Sequence, residues 1–261
     1  TRQAVIKMTT EQGFKITEKH ILPEEISNYD EAFLTGTAAE ITPIRSIDEV
    51  NFRKASNIIE ALDSEKCMLK IGSVAFNTIG HKIISYAAQK GFDIFLDLKL
   101  HDIPNTVKKS IKGLTSLPIK MLTVHCSGGK QMMSAAMEAV SGTDIKIFGV
   151  TALTSLNDDD TNKIYKRTTI NQVNAMLDLA ELAGIDGVVC SPHELKLARK
   201  RESLLTITPG IRLQDSNDDQ KRIMTPKNAI DLGANYLVIG RPITTSNDIK
   251  KSLAQIYESI K

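Results

Sequence analysis

From residue 67 to the C-terminus, short apolar runs alternate with longer amphipathic stretches. Seven runs are rich in Val, Ile and Leu: CMLKIG (67–72), FDIFLDLK (92–99), KMLTVHC (120–126), KIFGVTAL (146–153), DGVVCS (186–191), LLTITPG (204–210) and NYLVIGR (235–241). Such runs are typical of strands buried on both faces. The stretches between them look helical; NQVNAMLDLAELAG (171–184), for example, has apolar residues at helical spacing and closes with Gly184.

Seven strands alternating with helices predict an α/β protein with a parallel sheet, and an eighth strand would close a (β/α)8 TIM barrel. An open doubly wound sheet is the competing form. Polar residues recur near the C-terminal ends of the strands: Lys70, Lys99, His125, Thr154, Ser191, Arg212 and Arg241. We favour the barrel, because its strand ends converge on one mouth, whereas an open sheet would spread them along an edge.

Composition excludes several classes of function. The net charge of +2 gives no strong attraction to nucleic acid or to an acidic membrane, and 5% aromatic residues without Trp offer no stacking platform for single strands. No apolar run approaches the roughly 18 residues that span a membrane, and no signal peptide is visible. The three cysteines are too few and too scattered for a disulfide framework or a zinc site. We therefore expect a cytoplasmic protein with no metal site.

A charged cluster interrupts the apolar pattern in FLDLKLHDIPNTV (95–107). Asp97 and Lys99 are two residues apart and share a face of the strand, and Asp102 follows in the loop. Lys70 lies at the end of the preceding strand and is expected beside them. One interpretation is a structural network of ion pairs. The other is catalysis, because charges confined in a cavity are costly unless paired and gather where chemistry is done.

From about Asp48 to the C-terminus the chain resembles the orotidine 5'-phosphate decarboxylases. The segments that carry the resemblance are LKIG, FLDLKLHDIPNTV, TVHCSGGKQMM, TALTSL, DGVVCS, TPGIR, DQKRIMTP and VIGRP, in that order. Related sugar-phosphate decarboxylases and synthases share the D-x-K-x-x-D pattern. The additional segments favour the orotidylate enzymes.

The resemblance implies decarboxylation of orotidine 5'-monophosphate to UMP and CO2, the last step of de novo pyrimidine nucleotide synthesis, without a metal or other cofactor. It implies that Lys99 donates the proton to C6 and that Asp97 lies near the departing carboxylate. Lys70 and Asp102 complete an alternating array of charges. Asp102 and Thr106 are expected to reach the neighbouring active site of a homodimer.

The same resemblance implies further substrate contacts. Gln220, Gly240 and Arg241 hold the 5'-phosphate with Arg212 nearby, Thr154 contacts the pyrimidine, Asp48 binds the ribose, and Lys70 and Thr106 also belong to the binding site.

The first 47 residues resemble a different family, a fragment of branched-chain aminotransferase. The TGTA at 35–38 looks like the phosphate-contacting turn of that family, through Thr37, but the Schiff-base lysine lies upstream of the matching region. We therefore expect no transaminase activity. We predict that residues 1–40 form an appendage or are partly disordered and that residues 41–261 form the barrel, with the non-native segment EITPIRSI (40–47) replacing strand one at reduced stability.

Two alternatives to the decarboxylase are retained. One is a sugar-phosphate decarboxylase or synthase of the same barrel group. The other is a catalytically impaired fusion that only binds nucleotide phosphate.

Overall fold

A computed structural model describes residues 2–17, 19, 32–36, 40–44, 48–213 and 223–260. The chain divides into two compact units, Thr1–Asn51 and Phe52–Lys261. The first unit contains helix α1 (Arg2–Glu11) and two strands, β1 (Ala32–Gly36) and β2 (Glu40–Ile44).

Strands β1 and β2 pair with each other in an antiparallel two-stranded sheet, in which Phe33 lies opposite Pro43. The structure thus differs from the expectation that residues 40–47 supply strand one of the barrel. Pro43 has no backbone N–H to donate. It is therefore unsuited to a central strand, whose backbone forms hydrogen bonds with a neighbouring strand on each side. Pairing across three intervening residues also closes a short loop at a small entropic cost. Residues 45–47 lie outside the described residues.

The second unit contains a seven-stranded parallel sheet with its strands in chain order. The strands are β3 (Leu69–Gly72), β4 (Ile94–Leu100), β5 (Met121–His125), β6 (Lys146–Val150), β7 (Gly187–Val189), β8 (Leu205–Thr208) and β9 (Tyr236–Leu237). All seven predicted strands are confirmed.

Helices connect or flank these strands. They are α2 (Asp48–Ala61), α3 (Ser73–Ile79), α4 (His81–Gln89), α5 (Pro104–Leu114), α6 (Gly129–Val140), α7 (Asp158–Tyr165), α8 (Thr169–Ala183), α9 (Leu195–Ala198), α10 (Pro226–Asp231), α11 (Arg241–Thr244) and α12 (Ile249–Ser259). Two of these connections bear on the site. Pro104 opens α5 at its first turn, directly after the loop that carries Asp102, and Gly240 precedes the first residue of α11.

The sheet is curled, as its inner core shows. Phe95, Met121, Phe148 and Ile207 form one buried cluster although they come from β4, β5, β6 and β8. The rings of Phe148 and Tyr236 lie 6.2 Å apart between centroids, across strands that would be about 14 Å apart in a flat sheet. The apolar inner face therefore curves around one shared interior, as in a barrel, although β3 and β9 do not pair with each other in the described part of the chain.

The outer face of the sheet forms a second and larger core. Leu96, Leu122, Ile147 and Val188 are fully buried there, in the same cluster as helix residues such as Met133 of α6. Alternate residues of each strand thus enter two different cores, which explains why the strand sequences are apolar almost throughout.

Candidate active site

A cavity of about 280 Å³ lies over the inner core of the barrel. Its wall has three chemically distinct parts. Lys70, Asp97 and Lys99 form a charged part. Val150, Val189 and Val238 belong to an apolar part, and Arg212 and Arg241 lie near two glycines, Gly210 and Gly240, in a cationic part.

The charged part is centred on one carboxylate oxygen. Lys99 Nζ donates to Asp97 Oδ2 at 2.7 Å, and Lys70 Nζ lies 3.2 Å from the same oxygen. The side chain of Asp97 is 9% exposed, whereas those of Lys70 and Lys99 are 34% and 36% exposed. The two ammonium groups therefore reach the cavity from neighbouring strands and share a single buried counter-charge.

Thr123 of β5 holds the other oxygen of this carboxylate. Its hydroxyl donates to Asp97 Oδ1 at 3.0 Å and accepts from the backbone N–H of Lys99 at 2.8 Å. Thr123 is fully buried. Sequence reasoning missed this residue, and the one available signal was a polar side chain inside the apolar run KMLTVHC.

The backbone of β4 is irregular where it carries these charges. Leu96 pairs with Leu122 and Leu100 pairs with Val124, so that residues 97–99 stand opposite the single residue Thr123. Lys99 has a φ of 54°, in the left-handed region that side chains other than glycine rarely adopt. Such bulges re-aim side chains near active sites. Asp97 and Lys99 consequently both face the cavity, as the spacing of two predicted, but through a bulge and not through a regular strand.

Opposing forces act on the ionisation of Asp97. Burial favours the neutral acid, but attraction to Lys70, followed by the hydrogen bond and attraction of Lys99 and the hydrogen bond from Thr123, holds the pKa of Asp97 below its ordinary value. The carboxylate is therefore charged at neutral pH.

The cationic part of the cavity is held by the chain on both sides of residues 214–222. Arg212 N donates to Met224 O at 3.0 Å, and Met224 N donates to Gly210 O at 3.2 Å. Arg212 is 8% exposed, and its guanidinium donates to Ile211 O at 2.8 Å. Arg212 therefore presents a buried positive charge on the cavity wall, while Arg241 is exposed at the start of α11.

Comparison with known proteins assigns the part of the chain that carries this site to one family. The family model of the orotidine 5'-phosphate decarboxylase / HUMPS family covers residues 43–256. The chain belongs to this family.

Members of the orotidine 5'-phosphate decarboxylase / HUMPS family are similar in sequence to this chain over most of their length. Orotidine 5'-phosphate decarboxylase of Saccharophagus degradans is 45% identical over 76% of this chain and 86% of its own length. The enzyme of the same name from Ehrlichia chaffeensis is 43% identical over 83% of this chain and 96% of its own length. The crystal structure of orotidine 5'-phosphate decarboxylase from Lactobacillus acidophilus superimposes with a TM-score of 0.71 at 34% identity, over 83% of this chain and 96% of that one. The predicted barrel class is thereby confirmed.

A second family model, of class IV aminotransferases, matches residues 1–47. The resemblance of this segment to an aminotransferase fragment is therefore also confirmed. Of the predicted TGTA turn, Thr35 and Gly36 belong to the end of β1, whereas Thr37 and Ala38 lie outside the described residues.

The predicted site residues of this decarboxylase family member fall into three groups. Lys70, Asp97, Lys99, Thr154, Arg212, Gly240 and Arg241 line one cavity. Asp102 and Thr106 are exposed on the loop and helix that follow β4, and Asp102 Oδ1 accepts from Ile103 N at 2.6 Å. In the third group, Asp48 begins α2 but its side chain lies outside the described part of the chain, as does Gln220.

Two histidines lie beside the charged part without a predicted chemical role. The rings of His101 and His125 are 5.2 Å apart between centroids. Burial lowers the pKa of His125, and the neighbouring His101 and Lys99 lower it further. Within the described ranges no group of three His, Cys, Asp or Glu side chains is arranged to hold a metal ion, and no helix is both long and apolar enough to cross a membrane.

Proposed function

We propose that this chain decarboxylates orotidine 5'-monophosphate to UMP and CO2 with Lys99 as the proton donor. The observation that carries the proposal is the contact between Lys99 Nζ and Asp97 Oδ2 at the wall of the cavity. It supplies a charged ammonium group, held in place, where a carbanion needs both stabilisation and a proton.

In the proposed reaction the bond between C6 and the carboxylate carbon breaks, and its electron pair stays on C6 while CO2 leaves. The ammonium group of Lys99 stabilises this charge and transfers a proton to C6, which gives UMP and a neutral Lys99. The lysine then regains a proton from solvent. Lys70 and Asp97 keep the ammonium group oriented toward the cavity throughout.

Asp97 also acts on the ground state of the substrate. Its carboxylate would lie near the substrate carboxylate, and two negative charges about 4 Å apart repel by about 4 kcal/mol at an effective dielectric constant near 20. Loss of CO2 relieves this repulsion. The burial of Asp97 and its pKa below the ordinary range support this role, because the group is ionised when substrate binds.

The phosphate is assigned to the cationic part of the cavity. Arg212 and Arg241 offer guanidinium groups that suit a phosphate, and Gly240 allows the backbone to approach closely. Thr154 in the loop after β6 is assigned to the pyrimidine, and Gln220 and Asp48 complete the proposed set of contacts. The cavity then separates a phosphate end from a reacting end.

The active form is proposed to be a cytoplasmic homodimer. Asp102 is exposed and forms no ion pair with a lysine or arginine of the described ranges. Ile103 beside it is 67% exposed and Val74 after β3 is 80% exposed, which suits a surface covered by a second copy. In the dimer Asp102 and Thr106 would complete the partner's site, while residues 1–40 form an appendage to the barrel.

The test is an absorbance assay of orotidine 5'-monophosphate loss, with and without a chelator. We expect turnover that the chelator leaves unchanged, and Lys99→Ala should reduce kcat by about 10²–10⁴-fold with the fold intact. The control is Lys200→Ala, an exposed lysine outside the cavity, which should retain full activity. Full activity of Lys99→Ala would reject the proton donor. Binding of UMP by titration calorimetry without any turnover would instead favour the impaired fusion, and sensitivity to the chelator would favour a metal-using relative.

A further inference from the structure

The backbone of Lys99 is held by a side chain and not by the regular ladder of the sheet. Between the pairs Leu96–Leu122 and Leu100–Val124, three residues of β4 face one residue of β5. The regular register is interrupted there, and the backbone N–H of Lys99 donates instead to the Thr123 hydroxyl. The side chain of residue 123 thus substitutes for a ladder partner at the bulge.

The hydroxyl of Thr123 makes two contacts with fixed directions. A threonine hydroxyl has one hydrogen to donate and lone pairs to accept. Because an ionised carboxylate can only accept, the hydrogen must point to Asp97 Oδ1, and the lone pair remains for Lys99 N–H. The same atom therefore fixes the carboxylate and the main chain of the lysine that the carboxylate binds.

The unusual backbone of Lys99 needs such a restraint. A φ of 54° is costly for a residue with a side chain and persists only when surrounding contacts impose it. Without the hydroxyl, β4 could relax toward a regular strand. The Lys99 side chain would then point in a different direction, and its ammonium group would lose the contact with Asp97 Oδ2.

We propose that Thr123 is a positioning residue for the decarboxylation: its hydroxyl holds Lys99 in the left-handed conformation and turns the second oxygen of Asp97 toward both lysines. The inference rests on the proposed function, because it assigns a residue that acts through Lys99. Thr123 itself is fully buried beneath the charged groups.

The pKa of Asp97 depends on the charged and titratable groups around it, and on the hydrogen bond from Thr123. Lys70 faces it from β3, Lys99 from its own strand and His125 from β5. Removal of the Thr123 hydroxyl leaves these groups in the chain and deletes one hydrogen bond that lowers the pKa of Asp97. The pKa of Asp97 should therefore rise when the hydroxyl is lost.

The first test compares Thr123→Val with Thr208→Val. Valine keeps the shape of threonine and removes the hydroxyl. Thr208 on β8 is equally buried, and its Oγ1 has no hydrogen-bond partner within the part of the chain that the structure describes. We expect Thr123→Val to lower kcat on the order of 100-fold with little change in UMP affinity, and Thr208→Val to behave as wild type. Equal kcat in the two variants would overturn the proposal.

Thr123→Ser provides the rescue, because serine retains the hydroxyl. It should recover most of the kcat that valine loses, and the acid limb of the pH–rate profile should return to the wild-type position. A serine variant as slow as the valine variant would refute a role for the hydroxyl. If Thr123→Val does not fold by circular dichroism, Thr123→Ala and Thr123→Ser make the same comparison.

A second readout needs no turnover. The carboxyl carbon of Asp97 can be titrated by 13C NMR, with Asp97→Asn to assign the resonance. Its pKa should be higher in Thr123→Val than in wild type and unchanged in Thr208→Val. An inactive wild type would defeat the proposed function alone, while an unchanged Asp97 pKa in Thr123→Val would defeat the positioning role.

Discussion

The exchange of Asp97 for Asn tests whether one buried charge holds the two lysines in the cavity. Asparagine keeps the shape of the side chain but removes its charge. In the place of Oδ2 its carboxamide oxygen can still accept from both lysines but carries no full negative charge to balance them. In the place of Oδ1 its NH2 group is a donor and cannot accept from the Thr123 hydroxyl. We expect Asp97→Asn to reduce both turnover and stability.

The magnitude follows from the distances around Asp97 Oδ2. The nitrogens of Lys99 and Lys70 lie 2.7 and 3.2 Å from this oxygen, so they are no further apart than the sum of those distances, 5.9 Å. Two positive charges at that separation repel by about 3 kcal/mol at an effective dielectric constant of 20. Since about a third of each lysine side chain is exposed, solvent screens part of this repulsion. We therefore expect the free energy of unfolding to fall by about 1–3 kcal/mol, which lowers Tm by about 2–10 °C.

The effect on catalysis should be larger than the effect on stability. The two ammonium groups repel each other when the counter-charge is removed, and one lysine turns away, so the proton donor is misplaced. We expect kcat to fall on the order of 100-fold or more. The assays are absorbance loss of orotidine 5'-monophosphate and thermal unfolding by circular dichroism.

Asp63→Asn is the matched control for this exchange. It removes the same charge from an exposed pair, in which Lys66 Nζ lies 2.6 Å from Asp63 Oδ2. Solvent replaces such a partner, so activity and Tm should stay near wild type. The reasoning is refuted if Asp97→Asn keeps the kcat and Tm of the wild type, or if the two variants lose stability equally.

Two further predictions concern pH and packing. Because the pKa of Asp97 is lowered in the folded state, the ionised carboxylate stabilises the fold above the unfolded pKa of about 3.9, and this stabilisation is lost as pH falls through the folded pKa. The difference in unfolding free energy between wild type and Asp97→Asn, measured in urea, should therefore be constant from about pH 6 to 8 and shrink below about pH 4. A difference that grows on acidification would contradict this. Gly149→Ala should lower the unfolding free energy by about 1–3 kcal/mol in the same measurement, since the added Cβ would overlap with Cys126 Sγ and lie 2.7 Å from Ile185 Cδ1. Gly113→Ala, on an exposed helix position with nothing within 4 Å, should instead stabilise by about 0.5–1 kcal/mol, and a reversed order of these two variants would reject the packing argument.

The N-terminal region shows where local patterns were a weak guide. EITPI has the composition of a strand, and the structure does make Glu40–Ile44 a strand. Its partner could not be read from the pattern, because pairing depends on which segment is near and on which backbone groups are available. The residue without an N–H, Pro43, pairs with the adjacent β1 and not within the seven-stranded sheet.

The sequence by itself determined the alternation of strands and helices and the identity of the charged groups. Burial imposes a periodicity that the chain must display, so seven strands could be located, and a spacing of two placed Asp97 and Lys99 on one face. The tertiary structure alone decided that Thr123 binds both of them and that Lys99 adopts a left-handed conformation. Those contacts join residues 24 and 26 positions apart through an interrupted strand register, and the pattern of one strand carries no information about where its neighbour slips.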